Sequence, residues 1–358
     1  MFASPSLPTA RGPLSGALID YLDGRARTLP DPVIDAGHNV DIVGDDVHDE
    51  DFQLALYCAY ELHYRGFDVD TDREWDPAVL TFRRRLEDRF EAALRHDVAR
   101  PAPSHASPTQ QIADIIDSGE GPALSQFMER DGELWQFREF AIHRSLYQLK
   151  EADAHTWAIP RYSGSSRSAL IEIQMDEYGN GVPGQSHAEL FAQTMAALGL
   201  DPSYGAYVDA VGALTMATSN LVTLFGLHRR LLPSLLGHLA VFENTSVTPM
   251  GRYAAVCSRF GLDDEARRFY DVHVVADEHH GPLASRRLVG DFVTENPAAR
   301  GEVMWGAACV MELEERLATE LYGRWVDGRS ALRVGWGELV HPDGELSTQV
   351  GSPLRPVG

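Results

Sequence analysis

The chain has 358 residues, 44% hydrophobic and 23% charged, with a formal net charge of −22. That composition suits one large folded domain or two small ones and excludes a mostly disordered chain. So acidic a surface repels phosphate backbones and anionic lipid, so neither nucleic acid nor a membrane is expected as a partner. Cys58, Cys257 and Cys309 lie far apart and make no C-x-x-C pair, which points to free thiols in a reducing cytoplasm. The opening MFASPSLPTARGPLSG has no apolar core of signal-peptide length.

In chain order, residues 1–50 are rich in Pro, Gly and Asp and read as an N-terminal arm with one short helix near Leu14–Tyr21. Residues 51–67 have helical periodicity with Asp51 as the expected N-cap. Residues 76–98 open with Asp-Pro, which suits N-cap and N1, and carry one apolar stripe. The segment RPAPSHASP is a linker by composition. Further helices are expected near 109–117, 122–129, 133–155, 165–177, 187–198, 206–228, 231–244, 249–260, 263–280, 281–292 and 297–323. The uncharged run Ala210–Leu227 approaches the length of a membrane span. Its Thr215, Thr218, Ser219, Asn220 and Thr223 fit a buried central helix better, and this helix is the expected wall of a substrate pocket. The Gly/Pro-rich end reads as a short irregular C-terminal tail. The pattern implies an all-α fold divided as 1–50, 51–325 and 326–358. No G-x-G-x-x-G, Walker A, G-x-S-x-G or H-E-x-x-H occurs, so nucleotide, serine-hydrolase and zincin chemistry have no motif support.

The segment FYDVHVVADEHH carries His273, Asp277 and His280 as H-x-x-x-D-x-x-H. On a helix these three fall within an arc of roughly 60°, whereas Glu278 and His279 point away. Two imidazoles and a carboxylate on one stripe form half of a first-row metal site. Other candidates in apolar helical context are Glu151, Glu177, His187 and Glu243. Glu243 follows a mostly apolar run, where a carboxylate needs a partner or a metal. Glu177 and His187 flank YGNGVPG, which breaks the helix. Glu189 is explained by a capping box with Ser186 and is left out of the site.

The ordered set Glu151, Glu177, His187, Glu243, His273, Asp277 and His280 resembles the haem-oxygenase-like diiron oxidases and oxygenases, also called iron-containing redox enzymes. The spacing is closest to that of an N-oxygenating helical domain in this family, and the resemblance covers roughly residues 50–320. It implies a haem-oxygenase-like helical bundle whose seven residues hold two Fe(II) ions, with O2 as co-substrate. Four carboxylates against two ferrous ions balance in charge. Glu151 is favoured as a ligand only through this resemblance, with His155 as its supporting partner. The implied reaction is O2-dependent oxidation of a small amino acid or derivative in specialised-metabolite biosynthesis. N-oxygenation and C–H oxidation (desaturation, cyclisation or fragmentation) both fit. An external electron donor and a homodimer are compatible with it. The alternatives are a haem-binding oxygenase, a metal-free thiaminase-like hydrolase with Cys257 as nucleophile, and a helical interaction protein without activity. The i, i+4 pairs Glu139/His143 and Glu151/His155 read as intrahelical contacts. Lys150 is expected in solvent, and Glu61 and His63 are expected to be structural.

Overall fold

A computed structural model of the chain describes residues 4–31 and 45–336. Every regular element among them is helical, so the all-α expectation holds. The tail from 337 onward and part of the arm, 32–44, lie outside the described residues.

Helix α1 (Pro13–Leu22) packs on α2 (Glu50–Glu61). Asp51 does not cap its own helix. Asp49 does, accepting from the Asp51 and Phe52 amides at 2.9 and 3.0 Å. That frees the Asp51 carboxylate to accept from the Leu14 and Ser15 amides of α1, each at 2.8 Å. One acidic side chain caps in sequence and the next caps in space, both meeting amides that a helix start leaves unpaired. Helix α3 (Pro77–Asp97) starts at the expected Asp76 cap.

Helices α4 (Pro108–Asp117), α5 (Leu124–Arg130) and α6 (Leu134–Gln148) follow. The helix expected over 133–155 is interrupted. Tight bonds from the Lys150 amide to Tyr147 O and from the Asp153 amide to Lys150 O turn the chain, and the short α7 (Asp153–Thr156) resumes. The turn sends neighbouring side chains into two different interiors. Lys150 is buried, not solvated: its ammonium lies 2.9 Å from Glu61 and over the rings of Tyr57 and Tyr64. Glu151 faces the other way, into the cavity described below.

Helices α8 (Gly164–Glu177) and α9 (His187–Ala197) are joined by the expected break. Asn180 and Gly179, Gly181 and Gly184 all take positive φ there. Helix α10 (Ala213–Leu227) begins at Gly212, later than expected, because 208–210 form a separate 3-10 turn. It is the buried central helix, but not the cavity wall. Its polar groups are used in packing: Thr215 bonds His143, the Asn220 amide donates to Gln53, and Thr223 bonds Tyr64.

Helix α11 (Leu232–Thr245) crosses α15 (Arg300–Val326) at two glycines. A methyl on Gly237 would run into the Val303 carbonyl, and one on Gly306 into the Ser234 backbone. Between them lie α12 (Val247–Arg259) and α13 (Asp264–Leu283). Helix α13 outruns its expected end at 280. Pro282 has no N–H to continue the ladder, and the chain passes into a π-helical stretch over Ala284–Asp291 before α14 (Phe292–Glu295). Among the described residues, no helix is long and apolar enough to cross a membrane.

Candidate metal centre

Helices α8, α9, α11 and α13, with the turn after α6, bring all seven sequence candidates to one place. Donor atoms of Glu151, Glu177, His187 and His273 lie within 4.8 Å of one another. So do those of Glu177, Glu243 and His280, and Glu177 belongs to both groups. Asp277 adjoins the second group, 3.6 Å from His280 Nδ1.

Local structure explains each placement. His273, Asp277 and His280 are buried on one face of α13, while Glu278 and His279 are exposed, as the helical arc requires. Glu177 is the last residue of α8 and His187 the first of α9. The glycine-rich loop folds back between them, putting His187 Nδ1 at 2.8 Å from Glu177 Oε2. Ser186 and Glu189 form the expected capping box that starts α9. Gly281 lets α13 pass close to α11: a methyl there would sit 2.8 Å from the Glu243 carbonyl oxygen. That approach sets His280 Nδ1 at 3.4 Å from the Glu243 carboxylate.

The outer atoms of these side chains are held in turn. His273 Nδ1 donates to the Phe269 carbonyl at 2.8 Å, which leaves Nε2 toward Glu151, 3.5 Å away. His280 Nε2 bonds Asp176 at 2.9 Å, and the Asn180 amide donates to Asp176. Ser246 donates to Asp277 at 2.5 Å. The Gln148 amide nitrogen, oriented to donate, meets both Glu151 carboxylate oxygens at 2.8 and 2.9 Å. His155 is not that carboxylate's partner; it bonds the Glu151 backbone. Sequence reasoning missed Asp176, Ser246 and Gln148. Only the D-E pair before the glycine break hinted at Asp176. The Glu139/His143 pair is structural but not a mutual contact. Glu139 accepts from Trp325, Ser330, Ala331 and Trp336, and His143 bonds Thr215.

Four of the inward-facing atoms make no hydrogen bond. Glu177 Oε2, His187 Nδ1, His273 Nε2 and His280 Nδ1 are all buried without a hydrogen-bond partner. Buried polar atoms left so cost about 1–3 kcal/mol each, and such atoms converging on one point fit a cation. The electrostatics agree. Burial, with the Glu151 charge beside it, pushes the Glu177 carboxyl well up. Burial lifts Glu243 to about 8. Burial pulls His280 down, but the Asp277 and Glu243 carboxylates facing it, with the bond to Asp176, outweigh this and raise it to about 11. Mixed imidazole and carboxylate donors with no thiolate suit non-haem iron better than structural zinc.

Five of the seven residues border a cavity of about 490 Å³. Its remaining walls include Phe140, Tyr147, Phe242 and Tyr253, with Arg144 and Glu314 further along. Cys257 is buried in α12, and burial pushes its thiol up to about 12. At neutral pH such a thiol is a poor nucleophile. Cys257→Ala is therefore expected to keep wild-type turnover; its loss, with iron content intact, would revive the cysteine-hydrolase alternative.

Residues 138–315 match the family of iron-containing redox enzymes. That stretch contains all seven candidates. Over 145 residues the chain is 24% identical to nitrosourea synthase of Streptomyces achromogenes subsp. streptozoticus, covering 40% of this chain and 31% of that enzyme. The chain thus spans about a third of the relative it matches.

Proposed function

We infer the function of this chain from its place among the iron-containing redox enzymes, to which it belongs and which makes it an oxidoreductase. The reading we propose is an O2-dependent oxidase or oxygenase with two non-haem Fe(II) ions, acting on an amino acid or derivative in specialised-metabolite biosynthesis. The observation that carries it is the pair of donor clusters sharing Glu177, with converging buried atoms that nothing in the protein satisfies. Glu151, His187 and His273 would hold one ion, and Glu243, Asp277 and His280 the other, with Glu177 between them. When bound, ferrous ions supply the electrons and open coordination positions for O2 chemistry.

The protein's own groups do the rest. Phe269 O, Asp176, Ser246 and Gln148 fix the orientation of His273, His280, Asp277 and Glu151, as supporting partners of metal ligands do. Phe140, Phe242 and Phe269 line the chamber and keep water from the reacting atoms. N-oxygenation is favoured over C–H oxidation only by the name of the nitrosourea-forming relative.

The test is anaerobic Fe(II) loading followed by O2 in the presence of L-amino acids. Two irons per chain and O2 uptake above that of free Fe(II) are expected. One iron or none, or uptake that no amino acid alters, would sink the reading. A pH series adds a second readout. Glu243 and His280 face each other at 3.4 Å, burial raising the carboxyl and the surrounding carboxylates raising the imidazole, so the pair holds a proton in the metal-free chain. Iron must displace it, so loading should release protons and weaken as pH falls. Iron affinity that does not change between pH 8 and pH 6 would contradict this.

A further inference from the structure

The same cavity has a second polar end. Arg144 and Glu314 line it and form a two-pronged pair, with NH1–Oε1 at 2.9 Å and NH2–Oε2 at 2.5 Å. Both side chains keep about a fifth of their surface, so the pair is not sealed. The fork uses two of the five guanidinium donors and leaves carboxylate lone pairs free. Tyr270, buried on α13, borders the same cavity with a hydroxyl that has no partner; its ring lies 5.7 Å from Tyr253, which stacks on Phe140, the ring that the Arg144 guanidinium overlies. A buried hydroxyl left unpaired is costly unless a ligand completes it.

Arg144, Gln148 and Glu151 follow one another along the cavity wall at four- and three-residue steps. Arg144 and Gln148 are one turn apart on α6, and Glu151 follows in the turn after that helix, so the ion pair and the metal centre occupy different parts of one cavity. The shared cavity is walled by aromatic rings, among them Phe140, Tyr147 and Tyr253.

We propose that Arg144, Glu314 and Tyr270 form a head-group subsite that holds the carboxylate and ammonium of an α-amino acid. The substrate side chain then extends past Gln148, so that oxidation falls on its far end and not at the α carbon. The chemistry that recognises this class is charge matching. A zwitterion meets a paired cation and anion, head to tail, without bringing net charge into an aromatic chamber. A lone carboxylate or a lone amine leaves one member of the pair opposed by like charge. This inference rests on the oxidase reading for the metal end and on the ion pair alone for the binding end.

Binding is tested without turnover. Thermal shift and calorimetry are run on the full chain, with and without Fe(II), against the standard L-amino acids, their α-amides and their decarboxylated amines. At least one amino acid should bind, and both of its modified forms should bind at least about tenfold more weakly, which is about 1.4 kcal/mol. Arg144→Met and Glu314→Gln should lose that binding at unchanged iron content. Tyr270→Phe should weaken it while the melting temperature holds or rises, because the deleted hydroxyl was unpaired. If Arg144→Met fails to fold, Arg144→Lys, which keeps the charge but not the fork, serves in its place. Retained binding in Arg144→Lys and Glu314→Gln, equal binding of the α-amide, or no amino-acid binding would each overturn the subsite. Failure of iron binding while zwitterion binding persists would remove the oxidase reading and leave the subsite standing.

Discussion

Glu177→Ala should empty both halves of the metal centre, whereas Glu151→Ala should empty one. Glu177 is the one residue common to the two donor clusters, and Glu151 belongs to the first alone. Losing a group that merely orients a ligand already costs about 10–100-fold in affinity or activity. Removing a shared ligand should cost at least about 100-fold and leave no measurable turnover. The fold should survive, since the variant deletes a buried carboxyl that burial and Glu151 already disfavour as an anion. Metal analysis of the purified, Fe(II)-loaded variants reads the outcome directly. Equal iron loss in both variants would mean that Glu177 is not the bridge between two sites. A normal complement of iron in Glu177→Ala would refute the ligand set as drawn.

Lys150→Ala should destabilise the fold by about 3–5 kcal/mol, because it strands the buried Glu61 carboxylate. The Lys150 and Glu61 side chains are 4% and 1% exposed. The ammonium also sits 4.6 Å from the Tyr57 ring centroid and 4.1 Å from that of Tyr64. Replacing both partners, as in Lys150→Met with Glu61→Leu, should recover most of the loss, since an apolar pair of similar volume needs no compensating charge. Urea unfolding of the two single variants and the double variant measures the coupling. A Lys150→Ala loss below about 1 kcal/mol would place the pair with ordinary surface ion pairs.

What the sequence determined about this protein is what local geometry determines. Helical periodicity put His273, Asp277 and His280 on one face, because 3.6 residues per turn is enforced by backbone bonds within the segment. The Asp76 cap, the Ser186–Glu189 box and the glycine break after Glu177 were legible for the same reason. The order of acidic and imidazole residues, through its family resemblance, carried the remaining candidates. Tertiary structure decided what depends on partners distant in sequence. Lys150 looked like a solvated neighbour of Glu151, but Glu61, nearly ninety residues earlier, draws it inward. Asp51 looked like the cap of its own helix, but α1 arrives to take its carboxylate. The uncharged α10 looked like a pocket wall, but its hydroxyls and Asn220 are spent on α2 and α6. The role of Glu177 as the shared member of two clusters, and the support of His280 by Asp176, exist only once α8, α11 and α13 are packed together. A backbone pattern fixes directions within a turn or two; which side chain meets which across the core is fixed by packing, where burial makes every unpaired charge find its partner.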